Sequence, residues 1–203
     1  SIPDRLKKGV NRIIRRDMKA QVSTSSAQSI LSMRQLCYAY YELTKPRVVA
    51  LIVFTAIVGM FLSVEGMIPL NALVFGGFGI GLSAASGAAF NHLLDRRADR
   101  VMARTSGRPL PTGSVQTIPA IVFAGSLALL SMVLLISQVN LLTAALSFGS
   151  MIGYAVVYTV WLKHVTPQNI VIGGAAGAMP PVLGWSAVTG EVGSDALLLF
   201  LII

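Results

Sequence analysis

Asn91, Asp95 and Asp99 stand four residues apart in the stretch NHLLDRRADRVMARTSGRPLPTG, Asn91–Gly113, the most polar run of a very apolar chain. On a helix, residues at this spacing lie one above another, so three oxygen-bearing side chains share one stripe. Oxygen donors suit a hard cation such as Mg²⁺, which is commonly held by one or two carboxylates together with substrate phosphates. Arg96, Arg97, Arg100, Arg104 and Arg108 surround the stripe, and guanidinium forks match phosphate oxygens. Two arrangements satisfy these residue types: a metal–diphosphate site, or ordinary ion pairs on a wet surface.

The elements that must position this stripe are membrane helices. The chain has 203 residues, of which 54% are hydrophobic and 12% charged, and its mean hydropathy is +0.72. That profile belongs to an integral membrane protein rather than a soluble core. A net charge of +8 would suit nucleic acid, but the charges sit between long apolar spans, so the expectation is a lipid bilayer and no nucleic acid. The single cysteine, Cys37, excludes an intrachain disulfide framework and reads as a small apolar filler. No His/Cys set has zinc spacing, and neither a Gly-x-Ser-x-Gly elbow nor a Walker-type phosphate loop is present.

Five apolar spans are near the length of about 20 residues needed to cross a bilayer. They are Val48–Val64, Leu70–Phe90, Ile118–Ser137, Leu141–Leu162 and Ile170–Val188, and a sixth begins near Asp195. All 16 Lys and Arg lie before the first span, between the second and third, or just after the fourth. The remaining loops carry Glu65, Glu191 and Asp195. By the positive-inside rule the N-terminus and Asn91–Gly113 face the cytoplasm, or the matrix in a mitochondrion; a bacterial inner membrane is the expected location. The domain reading is a basic cytoplasmic lead-in over 1–46, then a transmembrane domain over 47–203. In the lead-in, Ile2, Leu6, Val10, Ile13 and Ile14 alternate with basic residues at helical spacing. That pattern suits a short amphipathic helix on an anionic membrane surface.

The second span is almost without bulk: Gly76, Gly77, Gly79, Gly81, Ala84, Ala85, Gly87 and Ala88 all fall in it. Small residues allow close helix approach in lipid, and they also leave room for a bulky apolar ligand. The span runs directly into Asn91, so a lipid-like tail beside it would bring its head group to the carboxylates. Small residues recur at Gly173, Gly174, Ala175, Ala176 and Gly177, and Pro180 and Pro181 are then expected to break or kink the fifth span. Lys45 and Arg47 precede the first span, while Tyr154, Tyr158, Lys163 and His164 close the fourth. These are either interfacial anchors and positive-inside charges or groups that reach a diphosphate. His92 reads as a solvated interfacial histidine, with contact to a metal or porphyrin as the alternative.

The Asn91-x-x-x-Asp95-x-x-x-Asp99 run closing a small-residue helix resembles the first aspartate-rich motif of the UbiA-type intramembrane prenyltransferases. YELTKPRVVALIVFTAIVGM (Tyr41–Met60), MARTSGRPLPTG (Met102–Gly113) and TPQNIVIGGAAGAMPPVLGWSAVTG (Thr166–Gly190) resemble the haem O synthase, or protohaem IX farnesyltransferase, branch of that family. The resemblance covers about Tyr38 to the end. It implies an all-α polytopic membrane helix bundle of nine helices, of which five and the start of a sixth are here. It implies Mg²⁺ on Asn91, Asp95 and Asp99, the residues that would also be catalytic. Diphosphate contacts are expected from Arg104, Arg108, Lys163 and Tyr158, and from Lys45 and Arg47. The implied reaction is farnesyl transfer from farnesyl diphosphate to a vinyl group of haem B, giving haem O, with haem B as substrate rather than cofactor. Haem A synthase or terminal oxidase assembly machinery are the implied partners. A second aspartate-rich motif, which the family carries in a later loop, is expected beyond residue 203, so this stretch alone is expected to be inactive. Other readings are a UbiA-type enzyme for an aromatic or quinone precursor, and a non-catalytic transporter or assembly factor.

Overall fold

The long apolar runs of the sequence, broken by short polar connections, become packed helices in the computed structural model, which describes residues 32–155 and 169–203. Of the lead-in expected over 1–46, residues 1–31, with the amphipathic pattern, lie outside the described residues, as do Tyr158, Lys163 and His164. Among the described residues every regular element is helical. They are α1 (Ser32–Leu43), α2 (Pro46–Leu62), α3 (Gly77–Val101), α4 (Pro109–Thr112), α5 (Thr117–Gln138), α6 (Leu141–Ile152), α7 (Asn169–Thr189) and α8 (Ser194–Ile202). A π-helical turn over Ala72–Gly76 leads into α3. Tyr40–Ile203 forms one compact unit.

The large side chains that remain outside say which solvent this unit expects. Phe54 and Phe61 on α2, Ile118, Val122 and Leu129 on α5, and Leu201 on α8 are all exposed. Apolar surface on that scale is stable against lipid, not water. The helices Ala72–Val101 and Thr117–Gln138 are long and apolar enough to cross a membrane. The first is mostly buried by its neighbours and the second mostly exposed, so the small-residue helix occupies the centre.

Two kinds of contact hold that centre. α3 is stapled to α5 by serines that reach across the interface: Ser86 Oγ donates to the Ala124 carbonyl at 2.8 Å and Ser131 Oγ to the Gly79 carbonyl at 2.7 Å. α2 meets α7 backbone to backbone. A Cβ built on Gly59 would collide with the Pro181 carbonyl oxygen, and one on Gly184 with the Ala56 carbonyl oxygen. Glycine at both crossing points is what lets the helices touch. Ala56, Met60, Ile80, Leu183 and Ala187 fill the space where α2, α3 and α7 converge.

Of the two outcomes expected for the fifth span, a break or a kink, the break does not occur. α7 continues through Pro180 and Pro181 without a break. Proline lacks an amide hydrogen, so the carbonyls four residues earlier, on Ala176 and Gly177, lose their helical donors. The close approach of α2 at Gly59 holds the segment together, which is how neighbours let membrane helices keep internal prolines.

Candidate functional site

Three of the helices gathered around α3 enclose, with it, a cavity of about 480 Å³. Its volume lies in the range of roughly 300–1,000 Å³ usual for small-molecule sites. α3 contributes Ile80, Ser83, Ala84, Gly87 and Ala88, at the i, i+3, i+4 spacing of one helix face. The absence of bulk at Ala84, Gly87 and Ala88 is what leaves the space. Extending the same face by three or four residues reaches Asn91, and then Asp95. The polar stripe therefore continues the wall of the cavity at one end, as the sequence spacing requires. Gly81 serves the other purpose of a small residue, lying against Val53 of α2.

Lys45 also lines the cavity. It is the only non-glycine with positive φ among the described residues, at φ 49°. It caps α2 immediately before Pro46, where an α-type backbone is disfavoured. A lysine in this conformation costs about 1–3 kcal/mol and persists only where its surroundings dictate it. The turn is fixed by the Lys45 amide donating to the Glu42 carbonyl at 3.1 Å and by the Thr44 hydroxyl donating to the Tyr41 carbonyl at 2.7 Å.

Asp99 is where the following loop is anchored. It is buried, and the Arg108 guanidinium places Nη1 2.9 Å from Oδ1 and 2.8 Å from Oδ2. The Thr105 hydroxyl donates to the Asp99 carbonyl at 3.3 Å. Backbone bonds from Thr105 and Ser106 to Met102, and from Arg108 to Thr105, fold the intervening residues into a tight reversal. α4 then starts on Pro109, whose ring presets its φ, and stops at Gly113 with φ 80°. The RPLPTG stretch thus encodes a one-turn helix that holds Arg108 over the carboxylate.

The other sequence-derived residues divide. Asn91 is buried and Asp95 half-buried. Arg96 donates to the Thr117 hydroxyl at 3.0 Å, tying α3 to the start of α5. Arg47 and Arg104 are exposed, and neither lines the cavity. Tyr154 does line it. His92 corrects its expectation: it is 3% exposed, not solvated, and neither ring nitrogen has a hydrogen-bond partner. Its burial follows from its place on α3, one turn beyond the cavity-lining Ala88.

Two features escaped the sequence. Asn140 caps α6 by accepting from the Thr143 amide at 2.7 Å, and its Nδ2 donates to the Ser186 carbonyl of α7 at 2.8 Å. An Asn before an apolar run is a recognisable cap signal; its second bond depends on a partner 46 residues away. Ser147 and Ser150 line the cavity from α6, and no motif marks them.

For a cation, the donors are the right kind. One amide oxygen and two carboxylates on a single stripe suit Mg²⁺, whose remaining positions go to water or phosphate. Among the described residues no group of three or more His, Cys, Asp and Glu is assembled into a metal site, and both oxygens of Asp99 are engaged by Arg108. The stripe therefore supplies a partial oxygen set.

The helical bundle thus encloses a largely apolar cavity whose α3 wall runs on, beyond Ala88, to Asn91 and Asp95. The chain belongs to the UbiA prenyltransferase family, whose model matches residues 52–203. It is 60% identical over 165 residues to protoheme IX farnesyltransferase 1 of Shewanella woodyi, covering 81% of this chain and 55% of that protein. It is 62% identical over 164 residues to protoheme IX farnesyltransferase of Nitrosococcus oceani, with the same coverage. A third relative, protoheme IX farnesyltransferase of Shewanella sediminis, is 57% identical over 187 residues, 92% of this chain and 62% of that one. The chain thus spans little more than half the length of these relatives. Its fold is that of a UbiA homolog from Archaeoglobus fulgidus whose structure was solved with DMAPP and Mg²⁺. The TM-score is 0.63 at 21% identity, over 79% of this chain and 58% of that one.

Proposed function

We propose that this chain is part of an enzyme that transfers a farnesyl group from farnesyl diphosphate to a vinyl group of haem B, producing haem O and diphosphate. The observation that carries the reading is the continuity of one α3 face from the apolar cavity wall to Asn91 and Asp95. A ligand lying along it has its tail among Ala84, Gly87 and Ala88 and its head at the carboxylates. The similarity of about 60% to proteins named protoheme IX farnesyltransferase supports the choice of acceptor over an aromatic or quinone precursor.

Asn91, Asp95 and Asp99 would hold Mg²⁺, which when bound offsets the charge of the diphosphate. Lys45 and Arg108 would meet the same anion, a reading supported by Lys45 at the cavity wall and by Arg108 beside Asp99. Tyr158 and Lys163 belong to the proposal on sequence spacing, and Arg47 and Arg104 take a peripheral place because they are exposed. The apolar wall keeps bulk water from the allylic cation until the vinyl group has reacted. The acceptor's terminal vinyl carbon forms the new bond to the farnesyl carbon that loses diphosphate. Water then adds at the adjacent carbon, and its proton leaves with the diphosphate.

The test is to incubate the enzyme carrying the complete UbiA domain with haem B, an aromatic quinone precursor, farnesyl diphosphate and Mg²⁺ and to determine the masses of the haem and of the precursor. A haem heavier by a farnesyl group and the elements of water is expected, and unmodified haem alongside a prenylated quinone precursor would select the other acceptor class. Orientation is part of the proposal: residues 1–45 and 95–117 face the cytoplasm, in a bacterial inner membrane. Single cysteines at Gly107 and Gly190, both exposed, should then react with a membrane-impermeant thiol reagent from opposite sides. Labelling of both from one side would refute the charge-based topology.

A further inference from the structure

Serine and threonine hydroxyls inside apolar helices ordinarily bond to a nearby carbonyl, most often three or four residues back. From α2 through α7 the described residues obey this with two exceptions. Thr55 bonds within its own helix, Ser83, Ser86 and Ser131 reach across to neighbouring helices, and Thr143 and Ser186 pair with each other. The exceptions are Ser147 and Ser150. Both hydroxyl oxygens are buried without a partner, and both residues line the cavity. They lie three apart on α6 and share a face. Ala176 and Gly177 line the same cavity, and Pro180 and Pro181 deprive their carbonyls of helical donors. Beside Lys45, Thr55, Ser83 and Tyr154, the cavity is thus lined by two buried hydroxyls without partners, next to a turn of α7 in which the Ala176 and Gly177 carbonyls meet a proline instead of an N–H four residues on.

A prenyl chain has nothing to offer these groups. A water molecule does, because it donates and accepts and requires two to four polar partners to be held in an interior. We propose that Ser147 and Ser150, with the Ala176 and Gly177 carbonyls, hold the water that is added in the final step of the transfer. This rests on the function proposed above. The depth agrees. Ser83 Oγ donates to the Ser147 carbonyl at 3.3 Å, which sets Ser147 at the level of Ser83, roughly 12 Å along α3 from Asn91 at about 1.5 Å per residue. Ser150 lies one turn nearer the carboxylates. The carbons just beyond a diphosphate held at Asn91 fall at that depth. In the step, a lone pair of the held water forms the C–O bond to the cationic carbon beside the macrocycle. The released proton goes to the departed diphosphate, and no redox partner is needed. Without the held water, the same cation loses a proton from the neighbouring CH₂ and becomes an alkene.

The experiment compares products of wild type, Ser147→Ala, Ser150→Ala and the double variant by mass, in H₂¹⁸O, in the enzyme with its complete UbiA domain. Ser126→Ala, an exposed α5 serine, is the control. Each cavity variant should still prenylate haem, but the hydrated product should fall several-fold relative to the alkene, which is lighter by one water. Ser147→Thr and Ser150→Thr, which keep the hydroxyl, should restore the ratio. An unchanged ratio in either single variant that turns over would overturn the role of that serine, and in both it would overturn the proposal. Should the double variant fail to fold, the singles decide, since Ser150 is only half-buried. Wild type yielding no prenylated haem would instead remove the proposed function.

Discussion

Asp95→Ala should lower turnover by at least about 10²–10³-fold, the loss typical of deleting a single group that stabilises developing charge, while the protein remains folded in the membrane. Asp99→Ala should be equally inactive for a compound reason. Its carboxylate is buried under Arg108, so removing it strips an oxygen donor from the stripe and also leaves a guanidinium unpaired. Arg108 is 28% exposed; water takes up part of that charge, and the stability cost stays at or below about 3 kcal/mol. The two contributions can be separated. If Asp99 serves only to anchor the loop, Arg108→Ala removes the same interaction and matches Asp99→Ala in every assay. If Asp99 is a ligand as well, Asp99→Ala and Asp95→Ala both abolish the Mg²⁺ dependence of farnesyl diphosphate binding. Arg108→Ala would keep that dependence and lose only affinity for the anion. The double variant Asp99→Ala/Arg108→Ala then measures the coupling directly. Asp195→Ala, at an exposed position of α8, should be nearly silent. Near-normal activity in both Asp95→Ala and Asp99→Ala would end the catalytic assignment.

The Asp99–Arg108 pair also changes how the original alternatives are understood. The sequence permits carboxylates neutralised by a metal or by arginine, and two carboxylates one turn apart do repel without a cation between them. The structure has arginine at one of them. Under the proposed function the two readings would be compatible, because the guanidinium paired with Asp99 could turn toward an arriving diphosphate.

What the sequence disclosed was set by local chemistry. The periodicity of Asn91, Asp95 and Asp99, the partition of Lys and Arg among the loops, and the missing bulk of α3 are each properties of neighbouring residues. The first and the last have direct counterparts on α3, in the stripe and the cavity wall; the charge partition bears on orientation, which is part of the proposal. What stayed hidden depends on partners distant in the chain. Nothing near Ser147 distinguishes it from Ser131; only the fold reveals that Ser131 finds the Gly79 carbonyl while Ser147 faces a cavity. His92 was expected in solvent because it stands at the interfacial end of its span, but the helices packed around α3 bury it. Pro180 and Pro181 signal a break or a kink, and the helix runs on through them unbroken where α2 lies close at Gly59. Lys45 before Pro46 gives no sign of a left-handed backbone, since that pairing disfavours it.

Gly184 illustrates the same limit and gives the largest expected effect on folding. In the sequence it is one more small residue among many. In the structure a Cβ there would overlap the Ala56 carbonyl oxygen, and the reciprocal overlap exists between Gly59 and Pro181. Backbone atoms cannot rotate away as a side chain can, so α2 and α7 would have to separate along the whole crossing. Overpacking in a well-filled core costs typically 1–3 kcal/mol, and Gly184→Val should cost about 3 kcal/mol or more, since no rotamer relieves it. Thermal unfolding of the detergent-solubilised protein should show a marked drop in midpoint. Gly125→Ala and Gly149→Ala have no atom within 4 Å of the new methyl and remove a helix-weakening glycine, so they should be neutral or slightly stabilising. Wild-type stability in Gly184→Val would mean that the α2–α7 contact is loose. The consequence reaches the chemistry, because α2 and α7 supply Lys45, Ala176 and Gly177 to the cavity. A milder Gly184→Ala should therefore widen that chamber before it unfolds the protein. Its signature is a fall in farnesyl transfer with farnesyl diphosphate binding retained, since the carboxylates on α3 keep their place.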